Sequence, residues 1–170
     1  MKAAAKCLSI CLLGAASHAA AQDIPFDTAI VENCVAKAQD ETQMRACIGQ
    51  VADACVAQNG GSNAGMGSCL GAERDWWDTL LNTSYDKQVA AEQRREADAK
   101  EYGYDAPPTV EPLREMQRVW IRFRDAACAY EHATWGGGSG GPVAHAACEM
   151  KMTGEQAAAL TLRARRAGQQ

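Results

Sequence analysis

Apolar side chains recur every three or four residues along most of this chain, which is the period of an amphipathic α-helix. The clearest stretch starts after Thr109, an N-cap residue type, and accepts Pro112 in its first turn. Its apolar stripe consists of Leu113, Met116, Trp120, Phe123, Ala127 and Tyr130. This spacing predicts one long helix whose stripe packs against the rest of the protein.

A second long helix is predicted before it, from about Cys69. Its first half should be buried, and its second half, charged from Glu92 to Glu101, should be solvated. Gly103 with Pro107 and Pro108 must end it. The apolar positions of its first half are Trp77, Leu80, Leu81 and Val89.

Two shorter helices are predicted before the Gly-rich turn from Gly60 to Gly67. Phe26, Ile30 and Cys34 are spaced by four and share one helical face. Asp40 and Gln43 resemble a capping box that opens the next helix. Its buried face would carry Cys47, Ile48, Val51 and Cys55, and Asn59, Gly60 and Gly61 would end it.

Thr153 and Gln156 predict the start of a last helix that runs to about Arg165. No run alternates at period two with β-branched residues, so no strand is expected. The fold class predicted is therefore all-α, a small disulfide-stapled helical bundle of four to five helices. We expect one globular unit with a Cys-rich helical hairpin segment at 22–68, a helical domain at 69–165 and a disordered tail at 166–170.

Residues 1–21 have the features of a cleavable secretory signal. Lys2 and Lys6 precede an apolar run that is too short to span a bilayer, and small residues follow it. We expect cleavage after Ala21, with Ala19 as the alternative. No cysteine follows the run to accept a lipid, so we expect a periplasmic or secreted mature protein without a membrane anchor.

Six cysteines remain after that cleavage, and an even set in an oxidising compartment predicts three disulfides. Fifteen connectivities are open to six cysteines. The simplest local pairing joins neighbours in the sequence, and each bridge would close a short loop. The pairs are Cys34 with Cys47, Cys55 with Cys69, and Cys128 with Cys148.

Removal of the signal takes away two lysines and no acidic residue, leaving 15 basic and 21 acidic side chains and a net charge of −6. This balance argues against nucleic acid as a partner, because phosphate binding needs clustered Lys and Arg. It suits a basic protein partner, although modest acidity also keeps an exported domain soluble.

Three residue patterns could indicate chemistry, and each has a structural alternative. Gly137, Ser139 and Gly141 match the G-x-S-x-G nucleophile elbow, but that motif needs a strand before the serine. Two cysteines and two histidines have the spacing of a zinc site, yet a disulfide would consume the thiolates: Cys128, His132, His145 and Cys148. We therefore expect no metal site and no cofactor.

The third pattern is Glu73, Asp75 and Asp78 beside Trp76 and Trp77, which resembles a glycosidase carboxylate pair. Residues two apart point to different faces of a helix, so Glu73 and Asp75 cannot converge on one bond. We expect Trp77 in the core and the carboxylates near a helix start, where the helix dipole favours them. No catalytic residue is assigned.

A polar network is expected between the two long helices. Asp78 and Asn82 are spaced by four on one helix, and Gln117 and Arg124 share a face of the other. If these faces meet, Arg124 pairs with Asp78 inside the bundle, where the pair orients the helices more than it stabilises them.

Two strings in the second half of the chain are fairly specific: W-D-x-x-L-N-x-x-Y from Trp77 to Tyr85, and Q-x-x-W-x-x-x-R-D-x-x-C from Gln117 to Cys128. Together with Leu113, the glycines from Gly137 to Gly140 and Cys148, they resemble the lysozyme inhibitor LprI family over about 69–160. The resemblance implies a helical envelope or secreted protein with the second cysteine pair bridged. Some members inhibit lysozyme, which protects peptidoglycan.

Together these features predict an inhibitor of lysozyme-like muramidases, with a basic hydrolase as the leading partner. The alternative is a periplasmic interaction or immunity module that binds another envelope or secreted protein; a metal-binding or enzymatic role ranks last. The candidate binding segment is the glycine-rich loop, whose backbone a partner could approach closely. Its residues are Trp135, Gly136, Gly137, Gly138, Ser139, Gly140, Gly141 and His145.

Overall fold

The computed structural model describes residues 26–59 and 61–168. The predicted signal at 1–21 therefore lies outside the described residues. All regular structure in the described part of the chain is helical, and three disulfides staple it, which confirms the predicted fold class. The helices are α1 (Thr28–Lys37), α2 (Glu41–Arg45), α3 (Gln50–Asn59), α4 (Asn63–Tyr102), α5 (Val110–Ala133) and α6 (Gly141–Ala167).

Helix α6 is the central element, because α4, α5 and α2 all pack against it. Its small residues allow close approach: a Cβ added at Gly154 would lie 2.8 Å from Ile48. The buried hydroxyls of Ser84 and Thr161 share a hydrogen bond of 2.8 Å between α4 and α6. The core is formed chiefly by Trp77, Leu81, Ala157, Ala158, Leu160, Met44, Val51 and Val31.

The helix predicted from Asp40 to Asn59 is broken in two, which corrects the sequence-based expectation. Asp40 caps α2 as predicted, because its carboxyl accepts a hydrogen bond of 2.8 Å from the Gln43 N–H. The chain then turns at Gly49, whose φ of 93° is a left-handed conformation, and α3 begins at Gln50. The apolar residues on both sides of Gly49 keep the spacing of a single helix, so this spacing alone did not reveal the turn.

A buried carboxyl group explains why the chain turns at Gly49. Glu73 of α4 is fully buried, and its Oε2 accepts a hydrogen bond of 2.7 Å from the Ala52 N–H in the first turn of α3. Its Oε1 accepts bonds from the Gly49 N–H at 2.6 Å and from Trp77 Nε1 at 2.9 Å. The Glu73 side chain therefore accepts hydrogen bonds from two backbone N–H groups at the start of α3 and from the indole N–H in the core.

Two other charged side chains also cap helices other than their own. Arg165 of α6 donates to the carbonyls of Val35 and Ala38 at the C-terminal end of α1, at 3.1 and 2.8 Å. Glu96 of α4 accepts from the N–H groups of Thr109 and Val110 at the start of α5. In each case the sign of the charge suits the helix end that it contacts.

Thr109 is the N-cap residue of α5, as predicted, but its side chain does not cap the helix. The hydroxyl of Thr109 donates instead to Glu92 at 2.8 Å, while Glu96 takes the backbone donors. These carboxyl groups hold the start of α5 against the charged half of α4. Glu92 and Glu96 are consequently half-buried, although the segment from Glu92 to Glu101 was expected to be solvated.

Two helices start earlier than the sequence predicted. α4 begins at Asn63 with Ser62 as its cap, so part of the Gly60–Gly67 turn is helical and the helix crosses the expected segment boundary at 68/69. α6 begins at Gly141, twelve residues before Thr153, with Pro142 in its first turn. It also continues through Ala167, so residues 166 and 167 of the predicted tail are helical. Packing of α4 and α6 against each other overrides the weak helix propensity of the glycines in these segments.

The three local disulfide pairings are confirmed. Cys34 bonds to Cys47, Cys55 to Cys69, and Cys128 to Cys148, with Cα atoms 5.7, 5.7 and 5.4 Å apart. The first ties α1 to the turn after α2, the second ties α3 to α4, and the third ties α5 to α6. In the described part of the chain no helix combines the length and the apolar character needed to span a membrane.

We predict that replacing Glu73 destabilises the protein more than replacing any exposed carboxylate does. Glu73→Leu would leave two buried N–H donors and the part-buried N–H of Gly49 without an acceptor, at a cost of about 3 kcal/mol or more in the free energy of unfolding. Glu73→Gln, which keeps one acceptor oxygen, should cost less. Urea unfolding monitored by circular dichroism measures both, with exposed Asp75→Asn as the control, expected within about 0.5 kcal/mol of the parent. A Glu73→Leu variant as stable as this control would contradict the assignment.

We also predict a pH-dependent contribution from Glu96. Hydrogen bonds from the backbone N–H groups of Val110 and Thr109 lower the pKa of this carboxyl below its ordinary value. Because the folded-state pKa is the lower one, the stabilisation is complete above the ordinary glutamate pKa and is lost as pH falls through the folded-state pKa.

The stability difference between the parent and Glu96→Gln should accordingly be largest near neutral pH and shrink from about pH 5 downward. Thermal unfolding at several pH values measures it, with Glu101→Gln, an exposed glutamate on the same helix, as the control. A difference that stays constant through the acid range would contradict the predicted capping role.

Candidate functional site: the clamped glycine loop

The segment between α5 and α6, residues 134–140, forms the candidate site and is called the glycine loop below. The Cys128–Cys148 disulfide joins the two helices below it. Met152 Sδ lies 3.9 Å from the sulfur of Cys128 and 3.8 Å from that of Cys148, so the bridge is packed within the α5–α6 contact. The two helices that flank the loop are therefore joined covalently.

The backbone of the glycine loop requires glycine at two consecutive positions. Gly136 and Gly137 have φ values of 55° and 83°, in the left-handed region that disfavours other residues. The Trp135 ring then folds over Gly140, where a Cβ would overlap it, and the Gly138 N–H donates to the Trp135 carbonyl at 2.8 Å. These contacts give the loop a compact turn with Trp135 on its outside, 53% exposed.

A hydrogen bond from a distant part of the chain braces the loop. The Asn63 side-chain amide, in the first turn of α4, donates to the Ser139 carbonyl at 2.8 Å. No local sequence pattern indicated that Asn63 meets a loop 76 residues away. Asn63 is the contact of the site that sequence reasoning missed.

The base of the loop consists of polar groups on α4, α5 and α6. His145 Nδ1 lies 3.0 Å from the Cys128 carbonyl oxygen, and its Nε2 lies 3.4 Å from Glu149 Oε1. Arg74 donates to the other oxygen of Glu149 at 2.9 Å and to Asp75 at 2.7 Å. The pKa of Arg74 is raised, first by its hydrogen bond to Asp75, which keeps the guanidinium charged.

The predicted binding segment therefore divides into an exposed and an enclosed part. Trp135 and residues 136–139 are exposed, and a partner can reach them. Gly141 is buried beneath His132, and a Cβ there would lie 2.9 Å from that ring. His145 is half-buried and held by two contacts, so it supports the loop rather than extending it.

The expected Asp78–Arg124 pair is wrong, because α6 lies between the faces that were expected to meet. Asp78 instead accepts from Asn82 of its own helix at 2.9 Å. Arg124 bonds to Asp125 at 2.8 Å and to the buried Thr153 of α6 at 3.4 Å, with its guanidinium 5.2 Å from the centre of the Trp120 ring.

Gln117, the fourth member of the expected network, accepts a hydrogen bond of 3.0 Å from the Gln156 amide of α6. The four side chains thus form two separate groups, one within α4 and one between α5 and α6. The spacing of the polar residues identified side chains that form hydrogen bonds, but it could not indicate which helix lies opposite each face.

The alternative chemistries lack the geometry they need. Ser139 follows helix α5, whereas a nucleophile elbow needs a strand, and the described residues contain none. The sulfurs of Cys128 and Cys148 are bonded to each other, which removes the thiolates of a zinc site. Within residues 26–59 and 61–168, no group of His, Cys, Asp and Glu is arranged to hold a metal ion.

The carboxylate pattern near the tryptophans is likewise structural. Trp77 is fully buried, as predicted, with Trp76 against it edge to face at a centroid distance of 4.8 Å. Glu73 does lie at a helix start, but at that of α3 and not of its own helix. Asp75 is on the surface, paired with Arg74, so the two groups do not face a common substrate.

Comparison with known proteins gives one family. The sequence pattern of the family described as lysozyme inhibitor LprI matches residues 54–160. The match starts before the resemblance at 69–160 and includes Cys55 of the second disulfide. A Rhodobacter capsulatus protein, named only as an uncharacterized 17.7 kDa protein in the puhA 5′ region, is 23% identical over 127 residues, covering 74% of this chain and 78% of that protein. No solved structure matches the chain.

We predict that Gly137→Ala destabilises the protein by about 1 to 2 kcal/mol, because an alanine at this positive φ is strained although no atom blocks its Cβ. Gly67→Ala is the matched control: Gly67 is helical and its Cβ would also meet no neighbour, so this change should stabilise by about 0.5 to 1 kcal/mol. Thermal unfolding measures both signs. Stabilisation by Gly137→Ala would show that the loop does not hold the left-handed conformation.

Proposed function

Because the chain belongs to the lysozyme inhibitor LprI family, we propose that it is an exported protein that binds lysozyme-like muramidases and inhibits them, protecting peptidoglycan. The observation that carries the proposal is the glycine loop, an exposed turn that is clamped by a disulfide and carries an exposed tryptophan. A rigid loop loses little conformational freedom when it enters a cleft, which favours tight binding.

The composition of the loop suits insertion into an enzyme cleft. Gly136, Gly137 and Gly138 have no side chains, so a partner can contact the backbone directly. Trp135 supplies the large aromatic group that typically contributes most to the binding energy of an interface. In this proposal the chain supplies no catalytic group; it blocks the cleft of its partner.

Net charge supports a basic partner. The mature chain carries −6, and the exposed carboxylate of Glu131 lies on the last turn of α5, next to the loop. Opposite charge steers encounter and raises the association rate, so binding to a basic hydrolase should weaken as salt is added.

Export is supported by the signal features of residues 1–21 and by the three disulfides, since such bridges persist in oxidising compartments such as the periplasm or the cell exterior. The absence of a lipid-accepting cysteine after the apolar run favours a mature protein that is released from the membrane. Electrophoretic mobility and mass spectrometry of the exported protein would locate the cleavage site.

We predict that Trp135→Ala weakens inhibition of a sensitive muramidase by about tenfold or more, as expected for a central interface tryptophan. Tyr102→Ala is the matched control, because Tyr102 is also an exposed aromatic residue but lies at the other end of α4, roughly 60 Å along that helix from Asn63. Cell-wall lysis assays with several muramidases measure inhibition, and circular dichroism confirms folding. Equal losses in both variants would contradict a role specific to the loop.

The same assays on the reduced protein test the disulfide clamp, and reduction should abolish or strongly weaken inhibition. If the folded, oxidised protein slows no muramidase, the inhibitor assignment is wrong. The glycine loop would then be the candidate surface for another exported protein, as in an interaction or immunity module.

A further inference from the structure

Helix α5 carries most of the exposed large hydrophobic side chains. Five of the seven such residues in the described part of the chain lie on this helix or directly after it: Val119, Ile121, Phe123, Tyr130 and Trp135. The inner face of α5 packs on α6 through Gln117, Arg124 and Cys128. One flank of the outward side of α5 is therefore apolar and exposed, through Val119, Phe123 and Tyr130, and charged side chains lie beside it.

Spacing on this outer face differs from that of scattered surface residues. Successive positions are separated by four, three and four residues, which is the heptad spacing of a two-helix contact. We call this set the outer stripe; it consists of Val119, Phe123, Ala126 and Tyr130. Ile121 is exposed as well but lies on another side of the helix.

We infer that the outer stripe binds the outer stripe of a second copy of this chain, with the two α5 helices antiparallel about a twofold axis between residues 124 and 125. This arrangement places Phe123 against Ala126 of the second copy and Val119 against Tyr130. A larger side chain meets a smaller one in both layers, which is how helix contacts fill space. A twofold interface requires this self-complementarity.

The parallel arrangement has no such match. It would set Phe123 against Phe123 and Ala126 against Ala126, so one layer would be crowded and the next would leave a gap. Charge gives the same preference. Arg122 and Asp125 flank the same edge of the stripe, and the antiparallel arrangement brings Arg122 of each copy near Asp125 of the other. In the parallel arrangement this edge faces the opposite edge of the partner helix, so the two charged groups do not meet.

Both charged groups are available at the surface. The Arg122 side chain is 67% exposed, and its ion pair with Glu115 is long, at 3.8 Å. Asp125 is 55% exposed, and its Oδ1 pairs with Arg124 of the same helix at 2.8 Å. Arg118 and Arg122 border this face together with Glu115 and Asp125, so it offers charges of both signs, as a self-complementary contact requires. The inference does not depend on the proposed inhibitor function.

The contact is small. From Val119 to Tyr130 the stripe is roughly 17 Å long, which places a single helix pair at the low end of specific interfaces. We therefore expect a dimer that dissociates on dilution rather than an obligate one. The two glycine loops would lie at opposite ends of the pair, each still accessible.

Sedimentation equilibrium of the oxidised mature protein from about 1 μM to about 1 mM tests the inference. The parent should show a monomer–dimer equilibrium, and Phe123→Asp should raise the dissociation constant about tenfold or more by placing a charge in the contact. Ile121→Asp introduces the same charge at an exposed apolar position outside the stripe and should leave the dissociation constant unchanged.

A residue swap tests the antiparallel register. Phe123→Ala alone should weaken the dimer because it leaves a gap, and Ala126→Phe alone should weaken it by crowding. The double variant F123A/A126F restores one phenylalanine and one alanine in each layer, so it should recover most of the parental affinity. Circular dichroism checks that each variant is folded.

Three results would overturn the inference: a parent that stays monomeric over the whole range, equal weakening by Phe123→Asp and Ile121→Asp, or a double variant weaker than both single variants. If Phe123→Asp instead impairs muramidase inhibition by a parent that is monomeric, the stripe contacts the hydrolase and not a second copy. Intact inhibition with a failed dimer would leave the proposed function standing.

Discussion

The fold depends above all on one buried carboxyl group. Glu73 accepts three hydrogen bonds, from the backbone at Gly49 and Ala52 and from the indole of Trp77, and it thereby joins the Cys-rich N-terminal helices to the family core. A polar group in an apolar interior is tolerated only when its bonding capacity is used, and here both oxygens are used. The disulfide between Cys55 and Cys69 holds the same two helices covalently, so α3 is fixed to α4 in two independent ways.

Charged side chains also satisfy the ends of neighbouring helices at the edges of the bundle. Glu96 satisfies the first donors of α5, and Arg165 satisfies the last carbonyls of α1. Since the ends of helices carry unpaired backbone groups, contacts of this kind decide where short helices begin and end. The long helices α4 and α6 therefore act as the frame on which the shorter elements are positioned, and the glycine loop is held at one end of this frame by Asn63 and by the Cys128–Cys148 bridge.

The two proposed surfaces use different physical properties of α5. Its C-terminal end leads into a turn that is rigid because the helices that flank it are bridged and its glycines adopt conformations that other residues avoid, which suits a segment that enters a cleft. Its outer face carries a regularly spaced apolar stripe, which suits another helix. Both remain available in one molecule because α5 packs on α6 through only one side.

The sequence by itself determined the all-α class, the long amphipathic helix after Thr109, the cap at Asp40, the local disulfides and the family, because these depend on local periodicity and on residue types close together in the chain. Tertiary structure alone decided the break at Gly49, the early start of α6 and the separation of Asp78 from Arg124. Each of these depends on which helix lies opposite a given face: Glu73 supplies an acceptor to Gly49, α4 packs against the glycine-containing start of α6, and α6 occupies the space between α4 and α5. Such contacts join residues that are far apart in the sequence, so no local pattern records them.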